Sequence, residues 1–168
     1  MIFWGLRGNA SFVAWRAMSS RRAWCTSAAM GISVPGAIAA RHVYPQRKVA
    51  AVTGDAGFMM NSQEIETALR LGTPLVILIW NDSAYGLIRW KQMEYFDRET
   101  GVGFTNPDFI AYARSFGAQG YRIEKAADLA PTLTKALAAN TVSVIDCPVD
   151  YSENLRLPNL AGETICRD

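Results

Sequence analysis

The sequence predicts an α/β fold: a doubly wound, mostly parallel sheet with helices on both faces. Three observations predict it. Residues 75–80 (LVILIW) form an unbroken apolar run of strand length, which suits a strand covered on both faces. A helical pattern separates this run from another apolar, β-branched run at residues 49–53, so the pair reads as a βαβ unit with a right-handed crossover. The alternation returns downstream, where strand-like residues 120–123 and 142–146 bracket a further helix.

The elements follow in chain order. Residues 1–27 hold three of the five tryptophans, four arginines, no acid and no clean period. A foreign reading frame joined to a genuine domain is the favoured reading of this stretch. A divergent lead-in, an Arg/Ser-rich organelle-targeting segment and an aromatic–arginine nucleic-acid patch remain open. Residues 28–40 (AAMGISVPGAIAA) are mostly small, which permits tight helix packing or close approach of backbone to a ligand. Pro35 and Gly36 fall near the start of this helix. His42, the only histidine, reads as a helix-end residue without a catalytic role.

After the strand at 49–53, Gly54-Asp55-Ala56-Gly57 reads as a small-residue turn bearing one carboxylate. Asn61-Ser62-Gln63-Glu64 has the form of a capping box. Ile65, Ala68 and Leu69 then recur at helical spacing, with Glu66 and Arg70 paired on the wet side. Thr73-Pro74 ends that helix. The second strand ends in Asn81-Asp82. Residues 94–103 read as a charged, glycine-spaced surface loop. Asn106-Pro107 is expected to cap a helix over residues 109–116. Asp128 is expected to cap the next, whose Leu129, Leu133 and Leu137 form one apolar line. Cys147-Pro148 closes the last strand, and the chain beyond Tyr151 is polar and irregular.

At 168 residues, half of them apolar, the chain is long enough for one domain with a real core. No run is long and apolar enough to span a membrane, so no membrane role is expected. A net charge of +2 argues against a general nucleic-acid role. Its distribution is uneven: residues 1–48 carry seven Lys/Arg and no acid, and residues 49–168 carry ten Lys/Arg against fifteen acids. Three cysteines, Cys25, Cys147 and Cys166, lack metal-ligand spacing and read as free thiols in a reducing compartment. Cys147 is expected to be a small buried hydrophobe.

The chemistry is expected where the strands end. Asp55 follows one strand and Asp82 the other, and open α/β sheets collect ligands beyond the carboxyl ends of their strands. Two hard oxygen donors beside glycine-rich backbone and a helix N-terminus suit Mg²⁺ carrying a diphosphate. On local residues alone, Gly54–Gly57 is simply a turn. Neither the dinucleotide fingerprint nor a P-loop is present. The paired endings are what give the turn chemical meaning.

Those paired endings resemble the thiamine diphosphate motif, which begins Gly-Asp-Gly and closes one crossover later with Asn-Asn or a variant. Residues 52–88 (VTGDAGFMMNSQEIETALRLGTPLVILIWNDSAYGLI) are similar to the acetolactate synthase branch of that family, particularly its FAD-independent members. Further blocks fall in family order at Met30-Gly31, residues 35–40, 106–109, 115–118 and 150–154. The resemblance divides the chain into an atypical segment at 1–27, a cofactor domain at 28–157 and a tail at 158–168. It also implies a fold incomplete at its N-terminus.

The resemblance implies that Asp55 and Asp82 ligate Mg²⁺ through their side chains and Ala84 through its backbone carbonyl. It places Gly54, Ala56 and Gly57 against the diphosphate of thiamine diphosphate. Ala28 and Met30 correspond to the segment holding the aminopyrimidine ring. Tyr85 and Gly86 belong to the cover over the diphosphate, and Leu87 and Ile88 flank the reactive ring or else pack in the core. Ala56 departs from the usual second glycine and Asp82 from asparagine. The implied activity is decarboxylating condensation of two pyruvates to 2-acetolactate, with no catalytic side chain assigned in this chain. The activating glutamate belongs to a separate pyrimidine-binding domain, so the chain is expected to be inactive alone. The family implies homodimers or tetramers with the site at a subunit interface, in the cytoplasm. Another thiamine-dependent 2-oxoacid decarboxylase or oxidase, a paired subunit whose other half is encoded separately, and a non-catalytic truncated product are the alternatives.

Overall fold

The computed structural model describes residues 29–151 together with a two-residue strand, β1, at Phe12–Val13. Ala28, most of residues 1–27, and the tail at 158–168 lie outside the described residues. In order, the elements are α1 (Ser33–Val43), β2 (Ala50–Gly54), α2 (Asp55–Met59), α3 (Glu64–Arg70), β3 (Val76–Asn81), α4 (Gly86–Phe96), α5 (Phe109–Ser115), β4 (Gln119–Arg122), α6 (Leu129–Ala138) and β5 (Ser143–Pro148). A 3₁₀ turn at Ala126–Asp128 leads into α6.

The sheet order is β1-β2-β3-β5-β4. The pairs β2–β3, β3–β5 and β4–β5 are parallel, and β1 runs antiparallel along β2. Alternate residues of β3 serve two cores, as a period of two requires. Ile77 and Ile79 face α1, α3 and α5 with Phe58, Ile65 and Phe109. Val76 and Leu78 face α6, where Leu129, Leu133 and Leu137 pack beside Ala136 and Cys147. Helices therefore cover both faces, as the unbroken apolar run in β3 predicts. Phe58 is 1% exposed and meets Phe109 edge-on at a centroid distance of 5.4 Å. Burying a side chain of that size stabilises by about 1.5–3 kcal/mol.

Two tethers orient α1. Ser33 Oγ donates to the Val52 carbonyl near its start, and Arg41 Nε donates to the Pro74 carbonyl near its end. The helix thus runs against β2 and β3, and its N-terminus lies at the carboxyl ends of the strands. Gly120 lets α5 close on β4, since a Cβ there would stand 2.9 Å from the backbone of Ile110.

Several local expectations are corrected. Gly54–Gly57 is not a free turn, because β2 passes at Gly54 straight into α2, which begins at Asp55. The capping box does not form: α3 starts at Glu64 behind a helical Gln63, and no side chain caps it. Asn61 Nδ2 donates to the Gly31 carbonyl at 2.9 Å instead. The cap of α5 is Asp108, whose Oδ1 accepts from the N–H groups of Ile110 and Ala111, rather than Asn106. Asp128 precedes α6 without a side-chain capping bond, because the 3₁₀ turn already engages that backbone. Residues 94–96 extend α4, and the segment behind them is pinned by a bridge between Ala84 and Gly103.

Candidate metal and diphosphate site

Register brings the two carboxylates together. Gly54 pairs with Trp80 across β2 and β3, so Asp55 leaves one strand beside the point where Asn81 and Asp82 leave the other. Asp55 is 1% exposed. Its Oδ1 accepts from the N–H of Ala56 at 2.8 Å, and its Oδ2 accepts from the N–H of Ser83 at 2.7 Å. Asn106 Nδ2 also donates to Oδ2, at 2.6 Å. Three donors therefore fix one buried carboxylate.

Asp82 is half-buried, and its carboxyl is pushed up to about 6, first by burial and then by the charge of Asp55 beside it. Hydrogen bonds from backbone N–H groups, that of Ala84 foremost, oppose the rise. No ion pair reaches either aspartate among the described residues; Arg89 acts on Asp82 only through a smaller long-range attraction. Two crowded carboxylates without a bonded counter-charge suit a divalent cation, which relieves their repulsion and takes oxygen donors.

The remaining predicted residues gather around this pair to different degrees. Gly54 ends β2 in an extended conformation, and Ala56 and Gly57 lie buried in the first turn of α2. Ala84 is buried, and Tyr85 is anchored by its N–H to the Val102 carbonyl at 2.8 Å, its ring 5.1 Å from that of Phe104. Gly86 opens α4. No residue of α4 is buried, and Leu87 and Ile88 are 40% and 49% exposed, so the core-packing reading of both is excluded. Met30 is half-buried just ahead of Gly31, which Asn61 ties to the turn after α2. Ala28 lies outside the described residues.

Four features were not visible in the sequence. Asn106 reaches Asp55 from 51 positions away. Asp146, 1% exposed on β5, accepts from Asn81 Nδ2 at 2.9 Å and from Arg122 Nη1 at 3.0 Å. The Tyr151 phenol is pushed up to about 12 by burial and then by the charges of Asp82 and Asp55. Ser83 takes a left-handed φ of +55°, a costly conformation that presents its N–H to Asp55.

Fold and site together define an α/β domain with two carboxylates at the carboxyl ends of adjacent parallel strands, the place where such sheets collect ligands. Residues 7–147 match the family described as thiamine pyrophosphate enzyme, C-terminal TPP binding domain, and the chain belongs to that family. The match begins upstream of residue 28, where the sequence reading placed the start of the domain. An acetolactate synthase of Bacillus subtilis (strain 168) is 43% identical over 139 residues, which is 83% of this chain and 24% of that protein. A catabolic acetolactate synthase of Raoultella terrigena is 42% identical over 134 residues, 80% of this chain and 23% of that protein. The solved thiamine diphosphate-dependent 4-hydroxybenzoylformate decarboxylase of Rhodococcus jostii RHA1 superimposes with a TM-score of 0.70 at 27% identity, covering 76% of this chain and 24% of that one. The chain is thus a thiamine diphosphate-binding domain of the acetolactate synthase-like type, and it spans about a quarter of the relatives it matches.

Proposed function

We propose that this domain holds thiamine diphosphate through one Mg²⁺ ion, gripped by Asp55, Asp82 and the carbonyl of Ala84, in an enzyme condensing two pyruvates to 2-acetolactate. The observation that carries the reading is the register that ends β2 and β3 side by side, with the Ser83 N–H bonded to Asp55 and no ion pair on Asp55 or Asp82 among the described residues. Backbone at Gly54, Ala56 and Gly57 meets the diphosphate, and Met30, with Ala28, holds the aminopyrimidine ring. Tyr85 and Gly86 close over the phosphates, and exposed Leu87 faces the substrate side. The bound coenzyme supplies the electron sink for decarboxylation. This chain's residues bind, orient and exclude water.

The named relatives support pyruvate as substrate. The Rhodococcus decarboxylase supports a second reading, decarboxylation of another 2-oxoacid; product analysis of the assembled enzyme on pyruvate separates the two. Among the described residues Glu66, Glu94, Glu99 and Glu124 lie in surface ion pairs and Glu64 opens α3; the activating acid is proposed to lie on a separate pyrimidine-binding domain. A cytoplasmic homo-oligomer is proposed, and no described helix is long and apolar enough to cross a membrane.

Calorimetric titration of the 168-residue chain with thiamine diphosphate tests the reading. Binding that requires Mg²⁺, without pyruvate turnover by this chain alone, is expected. Binding indifferent to Mg²⁺ would overturn the metal site, and acetolactate production by the chain alone would overturn its proposed dependence on a second domain.

A further inference from the structure

Asn106 donates through Nδ2 to Asp55 Oδ2 at 2.6 Å and to Asn81 Oδ1 at 2.9 Å, with Ser83 Oγ more distant at 3.4 Å. Its own Oδ1 is buried and has no hydrogen-bond partner among the described residues. The orientation of the amide is nevertheless fixed, because a flipped amide would set an oxygen against a carboxylate and another carbonyl. Asn81 continues the order: its Oδ1 accepts from Asn106 while its Nδ2 donates to Asp146, which Arg122 holds from the far strand. An unbroken chain of hydrogen bonds thus runs from the sheet edge to Asp55.

The consequence for Asp55 follows from counting lone pairs. Oδ2 already accepts twice, from Ser83 N–H and Asn106 Nδ2, so its in-plane acceptor positions are used. Oδ1 accepts once, from Ala56 N–H, and keeps one position for a cation. Mg²⁺ demands near-ideal octahedral geometry with single-oxygen contacts, whereas Ca²⁺ tolerates a carboxylate gripping through both oxygens.

Resting on the metal-site reading above, we propose that Asn106 is a positioning residue that restricts Asp55 to a one-oxygen grip and thereby biases the site toward Mg²⁺ over Ca²⁺. Asp146 and Asn81 set the amide that does this. The residue lies outside the Gly-Asp and Asn-Asp motif that marks the site in the sequence.

The test measures Mg²⁺ and Ca²⁺ affinities of the full chain by calorimetry with saturating thiamine diphosphate, for the parent, Asn106→Ala and Asn106→Ser. Removing the amide frees an acceptor position on Oδ2, so the preference for Mg²⁺ over Ca²⁺ is expected to fall by about 10-fold, within the range for outer ligand partners. Asn106→Ser keeps a small hydroxyl too short to replace the amide, so it gives the same shift where the alanine variant does not fold; metal-free melting identifies which variants are folded. Equal weakening of both ions, or no change, would overturn the proposal while leaving the metal site standing. A parent chain that binds neither ion would sink the metal site and the proposal together.

Discussion

The backbone N–H of Ser83 donates to Asp55 Oδ2 at 2.7 Å, which ties the end of β3 to the end of β2. Ser83 immediately follows Asp82, so this bond holds the chain at Asp82 beside Asp55. The cost is the left-handed backbone of Ser83, at φ +55°. Positioning at this site therefore comes from main chain as much as from side chains.

Burial of Asp82, and after it the charge of Asp55, gives the metal-free chain a pH signature. The Asp82 carboxyl rises from an ordinary 3.8 to about 6, so the folded chain holds this proton more tightly than the unfolded chain does. The associated stability is complete below 3.8 and is lost as pH rises through 6. Asp82→Asn has no such proton to lose. Its melting temperature relative to the parent should climb between pH 4 and pH 7 and then level off. A difference independent of pH would contradict the raised Asp82 carboxyl.

Helix α5 separates capping from site-building. Asp108→Ala removes the acceptor for the N–H groups of Ile110 and Ala111 and should cost about 1 kcal/mol by denaturant unfolding. Cation affinity should barely change, since Asp108 touches neither carboxylate. A loss of metal binding as large as that of an Asp55 variant would show that the two roles are not separate.

Gly31 carries a φ of +86°, and a Cβ there would stand 2.8 Å from Asn61 Nδ2 and 3.1 Å from Met60 Cβ. Gly31→Ala should therefore destabilise by about 1–3 kcal/mol, through strain and displacement of the Asn61 bond. Thermal melting checks this; a variant as stable as the parent would show that the turn relaxes without cost.

These contacts explain what the sequence could and could not disclose. Periodicity exposes β3 and the leucine line of α6, because burial on both faces of a sheet leaves its mark residue by residue. Asp55 and Asp82 are legible because they end adjacent strands of one βαβ unit. Asn106 is not: next to Pro107 it looks like a helix cap, and only the return of residues 102–104 along Ser83–Tyr85 carries it to Asp55. Asn61 misleads for the same reason, since its side chain is engaged through Nδ2 by the Gly31 carbonyl 30 positions away and caps no helix. Asp146 sits in an apolar strand pattern that gives no hint of Asn81 and Arg122 as partners. Local rules identify residues able to bond, and tertiary contacts choose the partner.

One measurement bears most directly on whether Asp55 and Asp82 share an ion. Electron paramagnetic resonance of free Mn²⁺, titrated into the 168-residue chain with thiamine diphosphate, counts bound ions. The expected result is one tight Mn²⁺ per parent chain and none at the same concentration in Asp55→Asn or Asp82→Ala. Tight Mn²⁺ retained by both variants would contradict it.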